Sequence, residues 1–104
     1  MRNGTNSNET RLVYQGIRER LEEFASKIRP QLVLISAGFD THRADPVGNL
    51  GLESEDFTAL TRSVLEVARA HAGGRVVSVL EGGYDPGALS ECVELHLLEM
   101  LDPR

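Results

Sequence analysis

Leu32-Val33-Leu34-Ile35, running on into Ser36-Ala37-Gly38-Phe39-Asp40-Thr41-His42-Arg43-Ala44-Asp45-Pro46, is the stretch that decides the fold. The leading residues are apolar without alternation, the pattern of a strand covered on both faces in a parallel sheet. The polar segment after them delivers Asp40 to the carboxyl end of that strand, where open α/β sheets place their chemistry. The arrangement recurs later in the chain, where Val76-Val77-Ser78-Val79-Leu80 is followed by Glu81-Gly82-Gly83-Tyr84-Asp85.

Helical patterns surround the two runs. From about Glu9 to Arg29, Val13, Ile17, Leu21, Phe24 and Ile28 recur every three or four positions and fall on one helical face, until Pro30 stops the helix. Ser54 is placed to cap a second helix whose apolar side holds Phe57, Leu60, Val64, Leu65 and Ala68 and which ends at Gly73-Gly74. Asp85-Pro86 reads as an N-cap with proline in the first turn, and Leu89, Cys92, Val93, His96 or Leu97, and Met100 continue at helical spacing. Strand, helix, strand, helix in this order predicts a parallel pair with a right-handed crossover. Residues 1–8 are polar and Asn-rich and read as a disordered arm; residues 9–104 form one domain segment. Two strands apolar on both faces need more sheet and more helix than 104 residues supply, so the segment looks excised from a larger sheet.

Composition narrows the partners. The net charge of −5 with no basic cluster argues against a nucleic-acid surface. It is compatible with a cationic amine substrate, and equally with a solvated acidic face. No run reaches transmembrane length and no signal peptide is visible at the start, so neither membrane insertion nor export is expected. The single Cys92 cannot form an internal disulfide and points to a reducing, cytoplasmic compartment.

Taken singly, the polar residues at the strand ends are ambiguous. Asp40 can ligate a cation, yet an aspartate after a strand more often caps a turn. His42 lies two residues on, and two side chains do not close a zinc site, which takes three protein ligands and a water. His71 and His96 lie on helices and read as surface or packing residues. Tyr84 follows two glycines that allow close backbone approach to a ligand. A tyrosine phenol keeps its proton at neutral pH and can donate to a developing oxyanion, or it can simply pack in the glycine turn. A nucleotide-binding reading ranks low, because Gly82, Gly83 and Gly87 fit neither the dinucleotide fingerprint nor a P-loop.

Taken together and in this order, the two motifs resemble the carboxyl-terminal part of the histone deacetylase superfamily. The resemblance is nearest to the bacterial histone-deacetylase-like amidohydrolases, which include acetoin-utilisation proteins and acetylpolyamine amidohydrolases. It runs from Thr5 to the C-terminus and implies an arginase/deacetylase fold, a parallel sheet flanked by helices with one catalytic zinc at the strand ends. It implies that Asp40 is a zinc ligand, that Tyr84 polarises the acyl carbonyl, and that Gly82 and Gly83 shape the wall of the acyl pocket. Asp45, Pro46 and Gly48 match a structural loop, and His42 matches a position that is not a ligand. Related arginases use two manganese ions bridged by an Asp-x-Asp pair, and His42 stands here in place of the second aspartate.

The family's tandem histidine pair and its Asp-x-His ligand segment have no counterpart in these 104 residues. The expectation is therefore the C-terminal part of a zinc-dependent deacetylase acting on acetyl-lysine-type or acetylpolyamine-type amides, inactive and without tight zinc binding as an isolated chain. Its partners would be the acetylated amine in the complete enzyme, and the missing N-terminal portion or a second copy on the bare apolar faces. The alternative is a non-catalytic product of a truncated or split gene, working as an interaction module.

Overall fold

A computed structural model describes residues 7–102, so most of the expected arm lies outside the described residues. The elements run α1 (Ser7–Ile28), β1 (Val33–Ala37), α2 (Ser54–His71), β2 (Val76–Leu80) and α3 (Pro86–Leu101). The chain is α/β: β1 and β2 pair in parallel, with Val33 opposite Val76 and Ala37 opposite Leu80. Because the strands are parallel, the segments following both emerge at one end of the sheet.

Local chemistry explains the boundaries. Helix α1 starts at Ser7, two residues before the sequence pattern suggests, and ends where Arg29 turns to a φ of 52° ahead of Pro30, its N–H still bonded to the Ala25 carbonyl at 2.9 Å. The N-cap of α2 is Glu53 and not Ser54. The Glu53 N–H donates to Asp56 Oδ2 at 2.7 Å, which frees the Ser54 hydroxyl for contacts in the interior. Asp85 caps α3 as the sequence suggests, accepting from the Ala88 N–H at 2.9 Å with Pro86 in the first turn.

The core lies on one face of the sheet. Ala37, Phe39, Phe57 and Cys92 are buried together, with Ile35, Leu52, Leu89 and Val93 packed around them. Phe39 meets Phe57 edge to face at 5.2 Å between ring centroids, a geometry favoured by the ring quadrupoles. On the other face Leu34 is 67% exposed, and Val77 and Val79 are exposed as well. Within this chain helices cover one face and alternate residues of each strand stand uncovered, in keeping with strands too apolar for the sheet and helices that 104 residues supply.

Helix α1 packs by its polar side. Its side toward α2 is the polar row: Tyr14 donates to Asp56, Arg18 pairs with Glu66 at 2.9 Å, and Glu22 bonds His71 at 2.7 Å, with Ala25 buried among them. Val13, Ile17, Phe24 and Ile28, on the apolar row with Leu21, are exposed. The polar partners on α2 select the polar side of α1, because an unpaired buried carboxylate costs more than an exposed methyl group.

His96 settles the ambiguity in α3, for it is buried while Leu97 is exposed. Its two ring nitrogens lie 2.8 Å from the hydroxyls of Thr61 and Ser78, tying α2 and β2 to α3. Burial pushes the imidazole below its ordinary value of about 6.5. The unfolded chain takes up a proton there as pH falls through about 6.5, whereas the folded chain stays neutral to a lower pH. This contribution is therefore full above 6.5 and shrinks as pH falls toward the lowered folded value. The urea midpoint should drop between pH 7 and pH 5, and His96→Gln should flatten that part of the curve; an equal slope in both proteins would assign the pH dependence elsewhere.

Candidate active site

The site is built where the backbone leaves the two strands. The pairing extends one step past them: the Glu81 N–H donates to the Ala37 carbonyl at 3.0 Å, and the Phe39 N–H to the Gly82 carbonyl at 2.8 Å. Asp40 and Tyr84 therefore follow at the same end of the sheet. The Asp40 carboxylate lies on Gly82: a methyl group on that glycine would come within 2.9 Å of Asp40 Cγ and 3.0 Å of both its oxygens. Gly38 borders the carboxylate from below, with Oδ1 at 3.3 Å from where its Cβ would stand. Only a residue without a side chain leaves room for the carboxylate here.

The loop from Thr41 to Leu52 folds back on Asp40. The Asn49 N–H donates to the Asp40 carbonyl at 2.7 Å, and Leu50 and Leu52 both donate to the Thr41 carbonyl. Gly48 presses on the Asp40 main chain so closely that a Cβ would lie 2.2 Å from its carbonyl oxygen. Gly83 then takes a φ of 143°, a conformation that L side chains rarely adopt, and Tyr84 projects outward with 55% of its surface exposed.

His42 is a structural residue. Its Nδ1 accepts from the Ala44 N–H at 3.0 Å, so the ring carries its proton on Nε2, which lies 3.1 Å from Ser54 Oγ. Its ring stacks on Phe57 at 10°. Both nitrogens are engaged inside the protein and neither is offered beside Asp40. Cys92 is fully buried, with Sγ 3.8 Å from the same Ser54 hydroxyl, and burial pushes its thiol pKa up, which suits packing and not nucleophilic attack.

Asp45 is the residue whose part the sequence least revealed. It is 3% exposed and both carboxylate oxygens are used: Oδ2 accepts from the N–H groups of Val47 and Gly48, each at 2.9 Å, and Oδ1 from the Tyr84 N–H at 2.7 Å. Burial opposes its ionisation, but the N–H groups of Gly48, Tyr84, Val47 and Asp85 outweigh that cost and hold the carboxyl below the ordinary aspartate value. The short-range half of this pattern is an Asx turn that Asp45-Pro46-Val47-Gly48 could have signalled. The bond to Tyr84, far along the chain, has no local signal.

Beside the turn, a cavity of about 190 Å³ is lined by residues including Ile35, Phe39, Phe57, Thr61 and His96. Neither Asp40 nor Tyr84 contributes to its lining. Among the described residues, no three His, Cys, Asp or Glu side chains come together to hold a metal ion. Asp40 can serve as one carboxylate ligand, which is short of a zinc site. Among those residues, too, no helix is long and apolar enough to cross a membrane.

Known proteins are similar to this chain over most of its length. A family model described as a histone deacetylase domain matches residues 1–100. The chain is similar to a type-2 histone deacetylase of Dictyostelium discoideum, 41% identical over 86 residues, which cover 80% of this chain and 5% of that protein. A histone deacetylase-like amidohydrolase of Pseudomonas aeruginosa is 42% identical over 66 residues, 64% of this chain and 17% of its own length. A human polyamine deacetylase is 45% identical over 80 residues, 76% and 11% respectively. The matched segment is thus a small part of each of these relatives. With residues 1–100 matched and the two strand-end motifs standing at one end of a parallel pair, the chain belongs to the histone deacetylase domain family.

Proposed function

We propose that this chain is the C-terminal part of an arginase/deacetylase-like domain, and that it supplies Asp40 and Tyr84 to a zinc-dependent site hydrolysing N-acetyl amides to acetate and amine. The observation that carries this reading is the Asp40 carboxylate seated on Gly82, two residues before Tyr84, at the shared end of β1 and β2. The names of the relatives, which include histone and polyamine deacetylases, support an acetylated amine of the acetyl-lysine or acetylpolyamine type as substrate.

In the complete domain Asp40 would be one of the zinc ligands, and the metal would supply Lewis acidity at the acyl carbonyl. The chain's own contributions are local. Gly82 and Gly83 keep side chains out of the space beside the carboxylate and so form the wall of the acyl pocket. The Tyr84 phenol, exposed and free to turn toward the acyl group, donates a hydrogen bond to the oxygen on which negative charge develops. The three histidines present are His42, His71 and His96, each engaged with Ser54, Glu22 or Thr61 and Ser78, so the general base comes from polypeptide outside this chain.

The uncovered sheet face and the outward row on α1 favour docking of that same polypeptide, or of a second copy in its absence. A single buried thiol, which needs no oxidising environment, supports a cytoplasmic setting.

The test is reconstitution. Joined to or co-expressed with the upstream part of a related deacetylase domain, the chain should give a protein holding one zinc and releasing acetate from an N-acetyl amine. Alone, it should release none and should bind zinc more weakly than micromolar in isothermal titration, since about three protein ligands are needed. Stoichiometric micromolar binding by the chain alone would remove the incomplete-site reading. Absence of both zinc and activity in a folded reconstituted protein would remove the deacetylase reading and leave a non-catalytic interaction module.

A further inference from the structure

We propose that Asp45 is the positioning residue for the Tyr84 phenol: its buried carboxylate ties the Tyr84 main chain to the loop that carries Asp40, and thereby sets where the phenol stands relative to that carboxylate. The inference rests on the deacetylase reading for its catalytic consequence, but the tether itself is a property of the chain.

The need for a tether follows from the backbone. Strand pairing ends at Gly82, and Gly83 turns away in a conformation that side chains rarely adopt. Tyr84 is more than half exposed, so packing does not hold its ring. What is fixed is its main chain, and so the point from which the ring turns, by the N–H bonded to Asp45 Oδ1 at 2.7 Å. The other oxygen of the same carboxylate holds Val47 and Gly48, and Gly48 in turn lies against the Asp40 main chain. One rigid group thus joins the two strand-end segments. Bonds from N–H groups to a carboxylate are about twice as strong as neutral ones, and the burial of Asp45 keeps water from competing for them.

The residue type matters because all three donors point at acceptor oxygens. An Asn in this place offers one oxygen and one NH₂ group, so either the Tyr84 N–H or the Val47 and Gly48 pair would face a donor. A Glu would carry the carboxylate one methylene too far. The family resemblance implies a structural loop at this position; the bond to Tyr84 extends that role to the candidate site.

Amide hydrogen exchange on the 104-residue chain tests the tether without reference to activity. The Tyr84 amide should be protected in the wild type. Asp45→Asn should lower that protection by about 10- to 100-fold, the worth of a hydrogen bond to a charged group, with α2 amides unchanged. A wild-type Tyr84 amide exchanging at the unprotected rate overturns the proposal with no variant needed, and so does unchanged protection in a folded Asp45→Asn chain.

In the reconstituted domain, Asp45→Asn should reduce kcat by about 10- to 100-fold, the scale of a misplacement near 1 Å, with KM and zinc content kept. Added to Tyr84→Phe it should cost nothing further, because it acts through the phenol. A full additional loss in the double variant would make Asp45 merely structural. If Tyr84→Phe alone left turnover unchanged, the oxyanion role of Tyr84 and with it the catalytic consequence of the tether would fail, while the exchange result still stood; absence of zinc and activity in the wild-type reconstituted domain is what would remove the deacetylase reading.

Discussion

Replacing Tyr84 by Phe in the reconstituted domain lowers turnover by about 10²- to 10³-fold, the usual cost of removing one donor to a developing oxyanion, and leaves zinc content as it was. The ring remains and no ligand is lost, so substrate binding should change little and the effect should fall on kcat. Asp40→Ala should behave differently, since on the proposed reading it would delete the one carboxylate this chain gives to the metal: zinc and activity should disappear together. Metal analysis beside initial rates separates the two variants. Unchanged turnover in Tyr84→Phe would sink the oxyanion role, and equal zinc loss in both would make Tyr84 part of the scaffold.

Gly48→Ala has the largest expected effect on the fold of the site. The added methyl group would stand 2.2 Å from the Asp40 carbonyl oxygen and 2.9 Å from its carbonyl carbon. These are main-chain atoms already bonded to Asn49, so neither side can yield cheaply. The substitution should destabilise by about 3 kcal/mol or more, the upper range for overpacking, and should disturb the Asp45 bonds to Val47 and Gly48. Gly16→Ala is the counterpart with the opposite sign. Gly16 lies inside α1 with nothing within 4 Å of an added Cβ, so alanine should stabilise by about 0.5–1 kcal/mol through backbone entropy. Urea denaturation of the two variants against the wild type decides both; a neutral Gly48→Ala would mean that the loop around Asp40 is soft and does not hold the carboxylate in place.

The same close approach explains why Gly82 cannot be read as a generic turn residue. A side chain there meets the Asp40 carboxylate, not the backbone, so Gly82→Ala would displace the carboxylate oxygens while leaving the sheet intact. Two glycines in one small region thus guard different things, the main chain of Asp40 and its side chain.

Much of this was legible from the amino-acid order. Apolar runs at Val33 and Val76, the second interrupted only by Ser78, determined two strands, and the intervening helical pattern determined that they pair in parallel. Asp85-Pro86 marked the start of α3, and the glycine-rich and Asp-rich segments after each strand marked the candidate site, because strand ends and turn residues are encoded by neighbours a few positions apart. Contacts between distant segments carry no such signal. Only the tertiary structure decided that α1 turns its polar row to α2, that His42 is spent on Ala44 and Ser54, and that Asp45 reaches Tyr84. Each of these depends on which donors and apolar surfaces the folded chain brings within reach. Periodicity names the residues that could pack; the partner available in space selects the ones that do.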